Sequence, residues 1–180
     1  MSIYYIDRPD FAPFVSNYPQ RPVYSGNVLA LEGKVVNYAV DPGSSLDLLS
    51  IYGVGRFSGG IVVVGGSFGW ADMALIKLEI LIDGSSRAKW SLQEIETFNG
   101  LNLFNKASGS AASGWYYPDV LHPIISSIAG KWNAANNAFE EYYFYLNFIA
   151  EFTESIVFRG INNTSNPITF TIRALVGYYP

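Results

Sequence analysis

Cysteine is absent from the 180 residues, and histidine occurs once, at position 122. Disulfide staples and thiolate metal sites are therefore excluded, and His122 has no second His or Cys with which to share a metal. Charge is scarce as well. Asp, Glu, Lys and Arg make up 14% of the chain, against ~25% in an ordinary soluble domain. The 11 basic residues are scattered and the net charge is −4, so no nucleic-acid footprint is present. No apolar run approaches the ~20 residues of a membrane span. Ile61–Val64 stops at Gly65 and Gly66, and Ala74–Ile82 carries Lys77 and Glu79. The stretch Met1 to Asp7 lacks the basic-then-apolar order of a secretory signal, which predicts a chain made in the cytoplasm. Gly53-Val54-Gly55 lacks the third glycine and following helix of a dinucleotide site. No cofactor or metal is expected.

What is present is apolar and aromatic. Hydrophobic residues reach 49% and aromatics 16%, with 13 Tyr and 12 Phe. That composition fills one sizeable core. Tyrosine gives large contact area with a polar tip, so a Tyr-rich surface poor in charge suits burial against neighbours; Tyr and Phe also simply favour strands. Residues 1–25 interleave Pro9, Pro13, Pro19 and Pro22 with Tyr4, Tyr5, Phe11, Phe14 and Tyr18. Proline at this density denies helix and interior strand, which predicts an extended arm that orders on a neighbour. Residues 26–180 are read as a single domain.

Short strands dominate that domain. Val28–Leu31 and Val35–Val40 flank Glu32-Gly33-Lys34, Asp41-Pro42-Gly43-Ser44 is a turn, and Leu46–Val54 and Ile61–Val64 are apolar runs. In Ala74–Ile82 the residues Ile76, Leu78, Ile80 and Ile82 share one face, and Asp83-Gly84 is a hairpin turn. Ala88, Trp90 and Leu92 form the return strand. Residues 99–118 are loop, a short helix is expected within Pro118–Trp132, and 133–137 is a turn. Tyr142, Phe144, Leu146, Phe148, Ala150 and Phe152 alternate against Tyr143, Tyr145, Asn147 and Glu151. Ile156 and Phe158, then Ile168, Phe170, Ile172, Ala174 and Val176, continue the period of two. This pattern predicts an antiparallel meander with one buried face. About eight strands in all indicate an all-β, antiparallel two-sheet sandwich of jelly-roll type.

Several motifs bear on chemistry. Gly65-Gly66-Ser67-Phe68-Gly69 spells the nucleophile elbow of α/β-hydrolases, with His122 and Asp72, Asp83 or Asp119 as formal partners. No βαβ rhythm accompanies it, and a glycine-rich hairpin loop explains the same residues. Glu94 and Glu96 could share a strand face, whereas Glu140 and Glu141, one apart, should point opposite ways; neither pair sets two carboxyls across one bond. Asn162-Asn163-Thr164 and Asn163-Thr164-Ser165 are glycosylation sequons that read as turn chemistry. Trp115, Tyr116 and Tyr117 form the exposed aromatic cluster, suited to stacking on a sugar or on a protein partner. No catalytic residue is assigned.

The Pro- and aromatic-rich arm, the eight or so strands and the closing segment from Ile156 to Ile172, with its polar turn Asn162-Asn163-Thr164-Ser165-Asn166-Pro167, resemble the jelly-roll structural proteins of viruses and phages. The resemblance is one of pattern over most of the chain, and no residue role carries over. It implies a virion component, either a small capsid protein or a decoration, spike or tail module, partnered by itself and by other virion proteins. A carbohydrate-binding, lectin-like sandwich using the Trp115–Tyr117 loop is the alternative, and a serine hydrolase using Ser67 is a remote one.

Overall fold

A computed structural model describes residues 30–98, 107, 112–117 and 125–179. The expected arm over residues 1–25, with Tyr4, Tyr5, Phe11, Phe14 and Tyr18, lies outside the described residues, as does His122. Eleven strands are described: β1 (Ala30–Val40), β2 (Ser44–Tyr52), β3 (Val54–Phe68), β4 (Ile76–Ile82), β5 (Ser85–Ser91), β6 (Gly114–Tyr116), β7 (Ile125–Asn133), β8 (Ala138–Leu146), β9 (Ala150–Phe152), β10 (Ser155–Asn162) and β11 (Ile168–Tyr179). Two short helices, α1 (Trp70–Met73) and α2 (Leu92–Phe98), sit between strands. The strands form two antiparallel sheets. The larger runs β1-β11-β3-β8-β7-β6, with β9 also on β3, and the smaller runs β2-β10-β4-β5.

The pairing is nested. The first strand pairs with the last, β2 with β10, β3 with β8 and β9, and β4 with β5. A long hairpin wound in this way onto two facing sheets is a jelly roll, here with β6 and β7 added at one edge of the larger sheet. Each sheet turns one face inward, since side chains alternate along a strand. The core between them holds Phe57, Val62 and Val64 of β3, Leu78 and Ile80 of β4, Tyr142 and Phe144 of β8, Ile156 and Phe158 of β10, and Phe170 and Ile172 of β11.

Local signals explain the joints. Asp83 and Gly84 both take positive φ, at 49° and 73°, the geometry of a type I′ hairpin turn. The Asp83 carboxylate accepts hydrogen bonds from the backbone N–H groups of Thr153, Glu154 and Ser155 and from the Thr153 hydroxyl. The β4–β5 turn is thereby tied to the β9–β10 turn. Asn162, fully buried, donates to the Val40 and Asn166 carbonyls and accepts from the Thr164 amide and hydroxyl. That network anchors the loop into β11.

Four expectations change. The meander over 142–176 is not one: β10 belongs to the smaller sheet while β8, β9 and β11 belong to the larger. A period of two reports which face is buried, not which strand lies alongside, and both sheets share one core. The segment 125–132 is strand β7 rather than helix, because β8 pairs with it along its length and Gly130 sits opposite Tyr142 as a strand residue. Leu92 starts α2 instead of ending β5. Ser91 and Glu94 make the reciprocal capping box, with the Glu94 carboxylate accepting from the Ser91 amide and hydroxyl and the Ser91 hydroxyl accepting from the Glu94 amide. Finally, Glu140 and Glu141 do not oppose each other. A bulge beside Lys131 and Trp132 lets Phe139 and Tyr142 both point inward, so both carboxylates stay outside the core.

Candidate functional site

The two outer faces of the sandwich are chemically unlike. Across the smaller sheet, Asp47, Arg159, Glu79 and Lys89 stand directly opposite one another on β2, β10, β4 and β5. Arg159 binds Asp47 at 2.6 Å and lies 3.6 Å from Glu79, which in turn lies 3.9 Å from Lys89. The Arg159 guanidinium is held above its usual pKa, chiefly by the hydrogen bond to Asp47. Alternating charges in one row satisfy each other, with Asp47, Arg159 and Lys89 open to water and Glu79 covered between its partners. This side is built for solvent.

The outer face of the larger sheet is aromatic. On β6 and just beyond it, alternation sends Trp115 and Tyr117 to one side and Tyr116 to the other. Tyr116 packs against the core edge and donates its hydroxyl to the Ala112 carbonyl at 2.8 Å. Trp115 and Tyr117 stay 42% and 62% exposed, with ring centroids 6.5 Å apart and planes inclined by 24°. On β8, Tyr142, Phe144 and Leu146 take the inward positions, which turns Tyr143 and Tyr145 outward. Trp115 meets Tyr143 at 5.4 Å, and Tyr143 meets Tyr145 at 6.2 Å. Four rings form one continuous row. Burial among these rings, with the Tyr117 hydroxyl close by, pushes the Tyr143 phenol up to about 12. Tyr143 is therefore neutral at any physiological pH.

Beside the row lie Val63 and Ile61 of β3 and Thr171 and Arg173 of β11, in register with Tyr143 and Tyr145. Charge on this face is sparse. Lys131 pairs with Glu140 at 2.9 Å, and hydrogen bonds from Asn133 and Lys131 hold the Glu140 carboxyl below its usual range. Arg173 makes no ion pair among the described residues. Where Leu175 bulges out of register with β3, Gly59 and Gly60 floor a shallow depression of about 440 Å³, walled by Ile61, Tyr145, Arg173 and Leu175. The chain matches no protein-family model and no curated protein sequence.

The cluster Trp115, Tyr116 and Tyr117 is thus brought partly together, as two exposed rings and one turned inward. Tyr143, Tyr145, Arg173 and Leu175 extend it and were not singled out in sequence. The signal existed, since Tyr143 and Tyr145 oppose the inward-facing set in the alternation. Ser67 is exposed at the end of β3 and hydrogen-bonds to no base among the described residues. A nucleophile elbow needs a strained serine, but the positive-φ residues other than glycine among those described are Asp83 and Asn137 alone. Glu94 is used in the helix cap, and Glu96 is buried against the Tyr142 hydroxyl at 2.7 Å. Asn162 is spent inside the fold, so the first sequon cannot carry a glycan. Among the described residues no group of three or more His, Asp or Glu could hold a metal ion, and no helix is long and apolar enough to cross a membrane.

Proposed function

We propose that this protein is a structural assembly module, a virion component of capsid, decoration, spike or tail type, that binds copies of itself and other virion proteins through the outer face of its larger sheet. The observation that carries the reading is the contrast between the two faces. One side neutralises its charges in a cross-strand ladder, while the other carries four linked aromatic rings, Trp115, Tyr117 and Tyr145 exposed and Tyr143 half-buried between them, flanked by β-branched residues. An exposed aromatic patch of this kind marks an interaction surface. Jelly rolls serve viral shells, lectins and cupins alike, so the fold supports the reading without selecting it. The arm over residues 1–25 is kept as a second contact, reaching from one copy to the next.

A glycan is the second reading, favoured by the shallow 24° inclination between the exposed Trp115 and Tyr117 rings, which suits stacking on a sugar. The test is light scattering across a concentration series. Tyr145→Arg should lower the association constant at least tenfold, equivalent to about 1.4 kcal/mol, while Lys89→Glu on the opposite face should not. Equal behaviour of the two variants contradicts the proposal. Retention of the Trp115 face on a glycan surface by a chain that stays monomeric favours the second reading.

A further inference from the structure

The larger sheet carries a knob and a hole on one face. The knob is the Trp115–Tyr117 pair at the β6 edge, with Lys131 of β7 beside Trp115 and the acidic Glu141 of β8 one strand further on. The hole is the glycine-floored depression of about 440 Å³ beside Leu175, flanked by Arg173, which makes no ion pair among the described residues. We infer that a second copy of this chain mates face to face with this sheet, the Trp115–Tyr117 rings of each copy seating in the depression of the other. The inference rests on the assembly reading and names its contact.

Strand register supplies the argument. Arg173 lies one strand from Val63 on one side and two residues along in one direction, opposite Ile61. Glu141 lies one strand away on the other side and two residues along in the opposite direction, opposite Gly65. The two charges are therefore symmetric about Val63. With strands ~4.8 Å apart and a rise of ~3.3 Å per residue they sit roughly 16 Å from each other, too far to pair within one copy. A two-fold axis lying in the interface over Val63 sets Arg173 of each copy on Glu141 of the other. The same operation carries Trp115, three strands from Val63 in the row of Gly65 and Glu141, onto the neighbourhood of Leu175 and Gly59. One rotation thus sets Arg173 on Glu141 and the rings on the depression, and it brings Lys131, whose charge Glu140 already offsets at 2.9 Å, beside Arg173. That is the self-complementarity an isologous contact requires.

The extent is sufficient. The face covers roughly 800 Å², of which two steeply crossed copies overlay roughly 600 Å², the lower end of what one partner contributes to a specific interface. The sheets would cross steeply, as in orthogonal sheet packing.

Absence of cysteine makes the test clean. In a Trp115→Cys, Leu175→Cys double variant the two thiols are the only ones present. They stand four strands and about six residues apart within one copy, roughly 27 Å, far beyond the ~7 Å that a disulfide allows between Cα atoms. Mild oxidation should give a covalent dimer that reductant dissolves, whereas Asp47→Cys, Lys89→Cys on the other face should stay monomeric on the gel. Because losing Trp115 weakens the contact itself, a charge exchange accompanies it. Arg173→Glu should weaken association at least tenfold, and Glu141→Arg added to the same chain should restore it. Association by light scattering without selective cross-linking and without rescue overturns this contact and leaves assembly standing. A monomer at every concentration overturns both.

Discussion

Replacing Asp83 by Asn probes the joint that sets the two ends of the smaller sheet. Asparagine tolerates the left-handed backbone at φ 49°, so the substitution changes the acceptor and little else. The carboxylate receives N–H groups from Thr153 at 3.0 Å, Glu154 at 2.8 Å and Ser155 at 3.1 Å, and the Thr153 hydroxyl at 3.0 Å. Hydrogen bonds to a charged group contribute about 1.5–3 kcal/mol each when buried. These are exposed to water, and the amide keeps one acceptor oxygen, so the total loss should be about 1–2 kcal/mol. For a chain of this length that is a Tm drop of roughly 2–6 °C.

The pH dependence carries its own sign. Desolvation alone would raise the Asp83 pKa, but the hydrogen bonds from Glu154, Ser155 and Thr153 together outweigh it and lower the value below 3.8. A depressed carboxyl contributes stability above its unfolded pKa and loses it as pH falls through the folded one. The gap in Tm between wild type and Asp83→Asn should therefore be constant from neutral pH down to about 5 and shrink below about 4. Calorimetry between pH 7 and 2.5 reads both effects. An unchanged Tm, or a gap that does not narrow in acid, refutes the clamp.

Asn162→Ala should cost about 2–4 kcal/mol and lower Tm by roughly 6–12 °C, because it strands the Val40 carbonyl and the Thr164 amide in the core and leaves the Asn166 carbonyl with the Thr164 hydroxyl alone; chemical denaturation measures it. Gly160→Ala places a Cβ 3.0 Å from the Phe170 ring and 3.1 Å from Leu48 Cδ1. Overpacking at that point should destabilise by about 1–2 kcal/mol, and a variant as stable as wild type contradicts the packing described.

The sandwich was legible because alternation in β4, β8, β10 and β11 is nearly uninterrupted, and the Asp83-Gly84 turn was legible from its two residues alone. Sheet membership was not. Inward faces of both sheets meet one core, so Ile156 and Phe170 carry the same pattern though they lie in different sheets. β7 was missed because Pro123 and Gly130 mimic helix punctuation, while its strand character depends on β8. α2 was missed although Ser91 and Glu94 stand at capping-box spacing, since the alternation of Ala88, Trp90 and Leu92 runs one residue past the cap. On the aromatic face, Trp115 and Tyr117 were readable from loop context. The depression was not, because it arises from a bulge at Leu175 against Gly59 and Gly60, a three-dimensional accident of register.

The face itself is tested most directly by hydroxyl-radical footprinting at rising protein concentration. Trp115, Tyr117 and Tyr145 should become protected from oxidation together as the copies associate, while Tyr52, 70% exposed at the end of β2 in the smaller sheet, should keep its reactivity. Protection of Tyr52 with the three rings left open, or no change at any concentration, would contradict the account.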